Sequence, residues 1–217
     1  MGDVHTKKAK VVCAKCNNGW MNEIVGAAKP VVTQVVLGRF GALNAAAQKK
    51  LATWLALQAM MADLLTKEPV KLPRSDLDYL YRKREPPPEM FIGIGRYAGP
   101  SHVAFDHTCV PIWGRDGDAE PVLQVSLHTM CSIIGGLYAI QTRSSPALTP
   151  DMPAGEYWPY VIQLWPIVHS DISWPSPVQF WIQGDLVPDG GLARALSVKL
   201  GNRFYAEMDK LISSASH

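Results

Sequence analysis

The sequence predicts an α+β fold, and three observations carry that prediction. Helix-spaced apolar residues dominate the chain up to Glu85. Strand-like runs, punctuated by Gly, Pro and Asp clusters, occupy residues 90–166, and an amphipathic stretch closes the chain. Helices, then strands, then a helix give segregated layers rather than alternating β-α units. The 217 residues are 47% hydrophobic and 18% charged, which excludes a disordered, collagen-like or coiled-coil chain. A net charge of +2 imposes no nucleic-acid partner on the whole molecule, so any such contact has to come from a local patch.

The elements follow in order. Residues 1–12 form a basic entry ending in Lys10-Val11-Val12, a short strand. Cys16 to Ala28 reads as a helix stopped by Pro30. Val31 to Phe40 fits a strand or a buried helix. Asn44 caps the strongest helix, which runs to Thr66 with Leu51, Trp54, Leu55, Gln58, Met61, Ala62 and Leu65 at helical spacing. A short helix follows Ser75, with Leu77, Leu80 and Tyr81 on one face, and Pro86-Pro87-Pro88 is a stiff spacer. Strands are expected at Phe91–Gly95, Val103–Trp113, Val122–Met130, Ser132–Gln141 and Tyr160–Trp165, with a turn at Asp116-Gly117-Asp118. Together they suggest an antiparallel meander of about five strands. Pro146 to Pro159 and the Pro175/Pro177 region read as loops. Leu192–Ile212 reads as a C-terminal helix with Leu196, Leu200, Phe204, Met208, Leu211 and Ile212 inward. The chain divides into residues 1–29 and an α+β domain over 30–217, with helices in 45–84, strands in 90–166 and the closing helix in 192–212.

No apolar run of signal-peptide length precedes Cys13. The longest apolar stretch, Leu51 to Leu65, is interrupted by Gln58 and Asp63 and falls short of the roughly 18 apolar residues of a membrane span. A cytoplasmic protein with no membrane partner is expected. The four cysteines are too few for a disulfide framework. Cys109 and Cys131 read as small buried hydrophobes.

The informative stretch is Cys13-Ala14-Lys15-Cys16 followed by Asn17-Asn18-Gly19-Trp20. Two thiolates two residues apart can face one metal ion, and a helix starting after the second adds a dipole that favours them. Taken alone the pair is half a tetrahedral zinc site, a redox pair or two incidental cysteines. His5 is the one upstream imidazole and so a candidate third ligand. Lys7, Lys8, Lys10 and Lys15 stand against a single Asp3 in the first twenty residues. That basic entry is either a phosphate-contacting patch or a solvated arm.

The longer string Val11-Val12-Cys13-Ala14-Lys15-Cys16-Asn17-Asn18-Gly19-Trp20-Met21 resembles the second half of the HNH endonuclease motif, in a bacterial and phage group with a VVCxxCNNGWM signature. The resemblance extends through Lys29-Pro30, Lys50-Leu51-Ala52-Thr53-Trp54 and Gly95-Arg96-Tyr97-Ala98-Gly99, about half of the chain. It implies a ββα-metal fold in the N-terminal segment. Cys13 and Cys16 would then be one half of a structural zinc site, and Asn17 the third motif position, which ligates or positions the catalytic divalent ion. Trp20 and Met21 would pack the motif helix. DNA is the implied partner, and magnesium or manganese the implied catalytic ion if the chain is active. The family's first CxxC and catalytic His belong well upstream of the second knuckle, and the twelve residues before Cys13 contain neither. The chain is therefore expected to be a catalytically incomplete HNH-like protein that binds metal and nucleic acid. A homodimer could complete the zinc site with two knuckles. The alternative is a non-enzymatic interaction or regulatory protein, phage or mobile-element encoded, with a CxxC that is only structural.

Other candidates carry less. Gly93-Ile94-Gly95 with Gly99 misses dinucleotide spacing and is followed by Pro100. His107 and Cys109 share a strand face, away from Asp106, and with His128 and Cys131 they could form a His/Cys site. Structural histidines are the preferred reading. Ser126 and Ser170 lack nucleophile-elbow glycines. Trp158, Tyr160, Trp165, Trp174 and Trp181 could stack bases, although packing is the default role for such aromatics.

Overall fold

The structure, a computed structural model, describes residues 12–39, 41–66, 70–97, 103–114, 122–145, 161–175 and 179–180. The expected entry strand, the Asp116–Asp118 turn, the Pro146–Pro159 loop and the helix at 192–212 lie outside them. Among the described residues the architecture is α+β: helices pack on an antiparallel sheet, and a two-stranded ribbon lies beside them.

The chain enters through one helical turn, α1 (Ala14–Cys16), and an irregular stretch, Asn17–Met21, kinked at Gly19. Helix α2 (Asn22–Val36) follows. Pro30 does not stop it, contrary to the sequence expectation, and the 29/30 division falls inside it. A proline at this depth removes one i→i−4 bond, at a cost of about 3 kcal/mol. Two features offset that cost here. Gly26, whose carbonyl loses the bond, is exposed to water. Beyond the proline, Val35 is fully buried and Val31 and Val32 pack on the core. The real stop is at Gly38 (φ +61°). Gly38 N–H donates to the Val35 carbonyl (3.1 Å) and Arg39 N–H to the Gln34 carbonyl (2.9 Å). This is the left-handed helix end that glycine allows.

Strand β1 (Gly41–Asn44) leads into α3 (Ala45–Leu65), and the Asn44 side chain caps it as expected, accepting from Ala47 N–H at 2.9 Å. The buried face of α3 differs from the predicted one. Leu51, Ala52, Leu55, Ala56, Ala59 and Met60 are buried, while Gln58 and Leu65 are exposed. Three small alanines, Ala52, Ala56 and Ala59, are among the buried residues of α3, which packs against α2 and the sheet. Helix α4 (Arg74–Lys83) ends at Arg84, which takes a left-handed conformation (φ 55°).

The main sheet contains β2 (Met90–Tyr97), β3 (Val103–Gly114), β4 (Val122–Ile134), β5 (Leu137–Ser145) and β6 (Ile162–Trp165) in the order β3-β4-β5-β2-β6. Strand β7 (Asp171–Trp174) pairs with β1, and β8 (Gln179–Phe180) pairs in parallel with β2. Two expectations need correction. The break read at Cys131 does not exist: β4 runs through it, and the turn falls at Gly135–Gly136. Gly135 has φ +58°, and a side chain there would meet Val36. The sheet is also not a plain meander. Strand β2, buried along nearly its whole length, takes a central place between β5 and β6.

One core joins these layers. It contains Trp20, Met21 and Ile24 together with Leu51, Leu55, Leu80, Ile92, Ile94, Leu137, Leu164 and Trp174. The entry segment is therefore anchored in the main fold through Trp20 and Met21. Tyr81 meets Trp20 edge-on (5.5 Å between ring centroids), and the Arg84 guanidinium covers both rings.

Candidate functional site

The two candidate sites are built differently, and the first is at the surface. Cys13 is the N-cap of the first helical turn, and its sulfur accepts the Cys16 N–H at 3.4 Å. Its carbonyl accepts from Asn17 N–H (3.0 Å). Cys13 is exposed and Cys16 half-buried. The Cys16 amide on its sulfur holds the Cys13 thiol below its ordinary pKa, because N–H donors stabilise the thiolate. Asn17 is exposed, and its amide donates to Asn18 Oδ1 at 3.4 Å. Lys15 is exposed between the cysteines. His5, Lys7, Lys8 and Lys10 lie outside the described residues. Among the described residues, no third metal-binding side chain joins Cys13 and Cys16.

The second site is internal, and its parts come from distant positions in the sequence. In the antiparallel ladder His128 of β4 lies opposite Cys109 of β3, and His107 lies opposite Met130. Strand alternation puts His107, Cys109 and His128 on one sheet face. The last turn of α3 presents Asp63 to that face. His107 Nε2 lies 3.6 Å and His128 Nδ1 3.9 Å from Asp63 Oδ1, and the two nitrogens are 3.4 Å apart. The rings are nearly parallel, at 10°. Both histidine side chains are fully buried and the Asp63 side chain is 3% exposed. Among the described residues this is the one group of three or more His, Cys, Asp or Glu side chains with converging donor atoms.

The outward atoms of the trio are held by neighbours. Leu72 N–H donates to Asp63 Oδ2 (3.1 Å), Thr66 Oγ1 faces His107 Nδ1 (3.1 Å), and Cys109 Sγ faces His128 Nε2 (3.7 Å). The Thr66 hydroxyl donates to the Asp63 carbonyl (3.0 Å), and Lys71 Nζ donates to that carbonyl (2.7 Å) and to Thr66 Oγ1 (3.2 Å). With its proton committed, Thr66 Oγ1 accepts from His107 Nδ1–H. That assigns the tautomer and turns the His107 Nε2 lone pair inward. Burial pushes both histidines down to about 4, helped at His107 by Lys71 and at His128 by His107, Arg143 and Lys71. Both rings are therefore neutral at pH 7, the form of imidazole that binds metals.

The same sheet face carries a second buried carboxylate contact. Arg143, opposite His128 on β5, donates to both oxygens of Asp76 at the start of α4 (2.7 and 3.2 Å). Helices α3 and α4 thus each contribute one aspartate to the polar face of the sheet.

The sequence places His107, Cys109 and His128 on neighbouring strands but gives Asp63 only as a polar interruption of an apolar helix, so the cluster is incomplete at that level. A lone carboxylate inside such a run is the available signal, because it is buried only with partners. Cys131 is not part of the cluster; its sulfur faces the Tyr138 hydroxyl (3.8 Å) on the opposite face. Of the aromatics weighed for base stacking, Trp174 is buried with its N–H on the Val35 carbonyl, and Trp165 donates to the Pro87 carbonyl. Both serve packing. Trp158, Tyr160 and Trp181 lie outside the described residues.

Compared with protein-family models, curated proteins and solved structures, the chain matches none. Among the described residues, no helix is long and apolar enough to cross a membrane.

Proposed function

We infer that the chain is an HNH-endonuclease-like protein that binds a metal ion through Cys13 and Cys16 and nucleic acid through the adjoining basic segment. One observation carries this reading: Cys13 caps the first helical turn and accepts the Cys16 amide on its sulfur. A thiolate knuckle needs two sulfurs presented on one side of a tight turn, with amide protons offsetting their charge. Exposure of Cys13 leaves room for ligands from outside the described residues, whether from His5 or from the knuckle of a second chain. Zinc is the ion that two thiolates favour.

In the HNH reading Asn17, one residue past Cys16, helps place a magnesium or manganese ion, and Lys7, Lys8, Lys10 and Lys15 meet phosphates. Nucleic-acid binding is the activity proposed for these residues; cleavage would need a general base as well, and His5 is the imidazole nearest the knuckle in sequence.

The test is DNA binding followed by fluorescence anisotropy across a salt series, on the full chain. Changing Lys7, Lys8, Lys10 and Lys15 together to Gln should weaken binding and flatten the salt slope by about 0.9 for each phosphate no longer neutralised. A Cys13→Ser, Cys16→Ser variant should weaken it as well. Unchanged affinity in both variants would refute the reading.

A further inference from the structure

We propose that Asp63, His107 and His128 form a second, internal metal site that takes one zinc-class divalent ion and ties the end of α3 to the paired strands β3 and β4. It is independent of the Cys13/Cys16 knuckle in both position and ligand chemistry.

The argument is geometric. The three inward donor atoms are separated by 3.4, 3.6 and 3.9 Å. The nearest point equidistant from all three lies in their plane, about 2.1 Å from each, and a tetrahedral ion slightly out of that plane would lie about 2.2 Å from them, within about 0.2 Å of zinc's bonds to imidazole nitrogen and carboxylate oxygen. The ligands come from three elements remote in sequence, so the convergence is a product of the fold and not of local chain geometry. Each ligand also has its other polar atom occupied. Leu72 N–H holds Asp63 Oδ2, Thr66 holds His107 Nδ1, and Cys109 holds His128 Nε2. Such outer interactions orient metal-bound histidines and carboxylates and set their tautomers. Binding an ion would keep these three, displace the His107 Nε2–His128 Nδ1 hydrogen bond and place the His128 proton on Nε2, toward Cys109 Sγ.

The donor set selects the ion. Two imidazoles and one carboxylate suit zinc, iron(II), cobalt or nickel, whereas magnesium and calcium require mostly oxygen ligands. Burial selects the role. Among the described residues, side chains with almost no exposure give a substrate no route to the ion, so its role would be structural, with water in the fourth position. Cys109 sits behind the His128 ring, on the nitrogen facing away from Asp63, and acts as a positioning residue rather than a ligand.

The test uses the full chain carrying Cys13→Ser and Cys16→Ser, which removes the surface thiolates and isolates the internal site. After chelator treatment, zinc chloride is added and bound metal is measured by mass spectrometry alongside Tm. The expected result is one zinc per chain and a raised Tm. Asp63→Asn keeps the shape and the Leu72 hydrogen bond but removes the anionic ligand; it should abolish stoichiometric binding with an unchanged far-ultraviolet spectrum. Should that variant fail to fold, Thr66→Ala, which only loosens His107, should weaken zinc binding about 10–100-fold. No zinc bound by the double-serine protein would overturn the proposal, as would unaltered binding in the folded Asp63→Asn or Thr66→Ala protein. Neither result bears on DNA binding, so the knuckle reading stands or falls separately.

Discussion

The entry segment and the polar face of the sheet use opposite strategies to hold chemically demanding groups. At Cys13 and Cys16 the groups are adjacent in sequence and open to solvent, and a single helical turn brings them together. At Asp63, His107 and His128 they come from three elements, and the whole core is needed to place them. A local site is legible in sequence and costs little to form. A site assembled by tertiary structure is hidden in sequence, and its polar groups must be satisfied because water cannot reach them.

The largest effect expected from breaking this contrast is on the sheet face. Asp76→Ala leaves the Arg143 guanidinium buried without its carboxylate, and unfolding free energy in urea should fall by about 3–5 kcal/mol. A smaller loss would mean that Arg143 finds another partner or reaches solvent.

Acid comes next. In metal-free protein both histidines are held near pH 4 when folded, whereas in the unfolded chain they titrate near 6.5. The unfolded chain therefore takes up protons that the folded one refuses. The neutral rings stay at no penalty above about pH 6.5, and stability falls as pH drops from there toward 4, by at most about 3 kcal/mol for either ring taken alone. Urea midpoints at pH 7 and pH 5 should separate clearly, before most carboxylates titrate. Equal midpoints would mean the rings are hydrated. Saturating zinc should raise stability at pH 7 and lose that gain as protons compete for the ring nitrogens.

A cap serves as a reference for local structure. Asn44→Ala removes the acceptor for Ala47 N–H and should cost about 1 kcal/mol. Smallest of all, Cys13→Ser with Cys16→Ser in chelated protein should move stability by no more than about 0.5 kcal/mol, since Cys13 is exposed and Cys16 only half-buried. The same contrast appears in thiol labelling. Cys13, exposed and with a lowered pKa, should react first, while Cys109 and Cys131 should wait for unfolding. Early labelling of Cys109 would show that the internal face opens in the native state.

Legibility in the sequence follows the same division. The Asn44 cap and the long helix behind it are legible because cap and periodicity are local signals. So are the strands from β2 to β6, apart from the break placed at Cys131. Pro30 misleads because its local penalty is outweighed by the burial of Val35 and the packing of Val31 and Val32, which only the tertiary structure supplies. Gly135-Gly136 is itself a turn signal, and it is the true end of β4 in place of the expected break at Cys131. The β1–β7 ribbon cannot be read, since two four-residue segments about 130 positions apart carry no periodicity that pairs them. Asp63 is visible as an oddity, a lone acid in an apolar helix, yet nothing local says that His107 and His128 meet it.

The most direct test of two distinct metal sites is the absorption spectrum of the cobalt(II)-loaded chain. Thiolate ligands give intense ultraviolet charge-transfer bands, whereas a nitrogen and oxygen site gives only visible d–d bands. The expected result is that Cys13→Ser with Cys16→Ser removes the charge-transfer bands and leaves visible bands that Asp63→Asn then abolishes. Loss of all cobalt absorption in the double-serine protein would contradict the account and leave the buried histidines with a packing role alone.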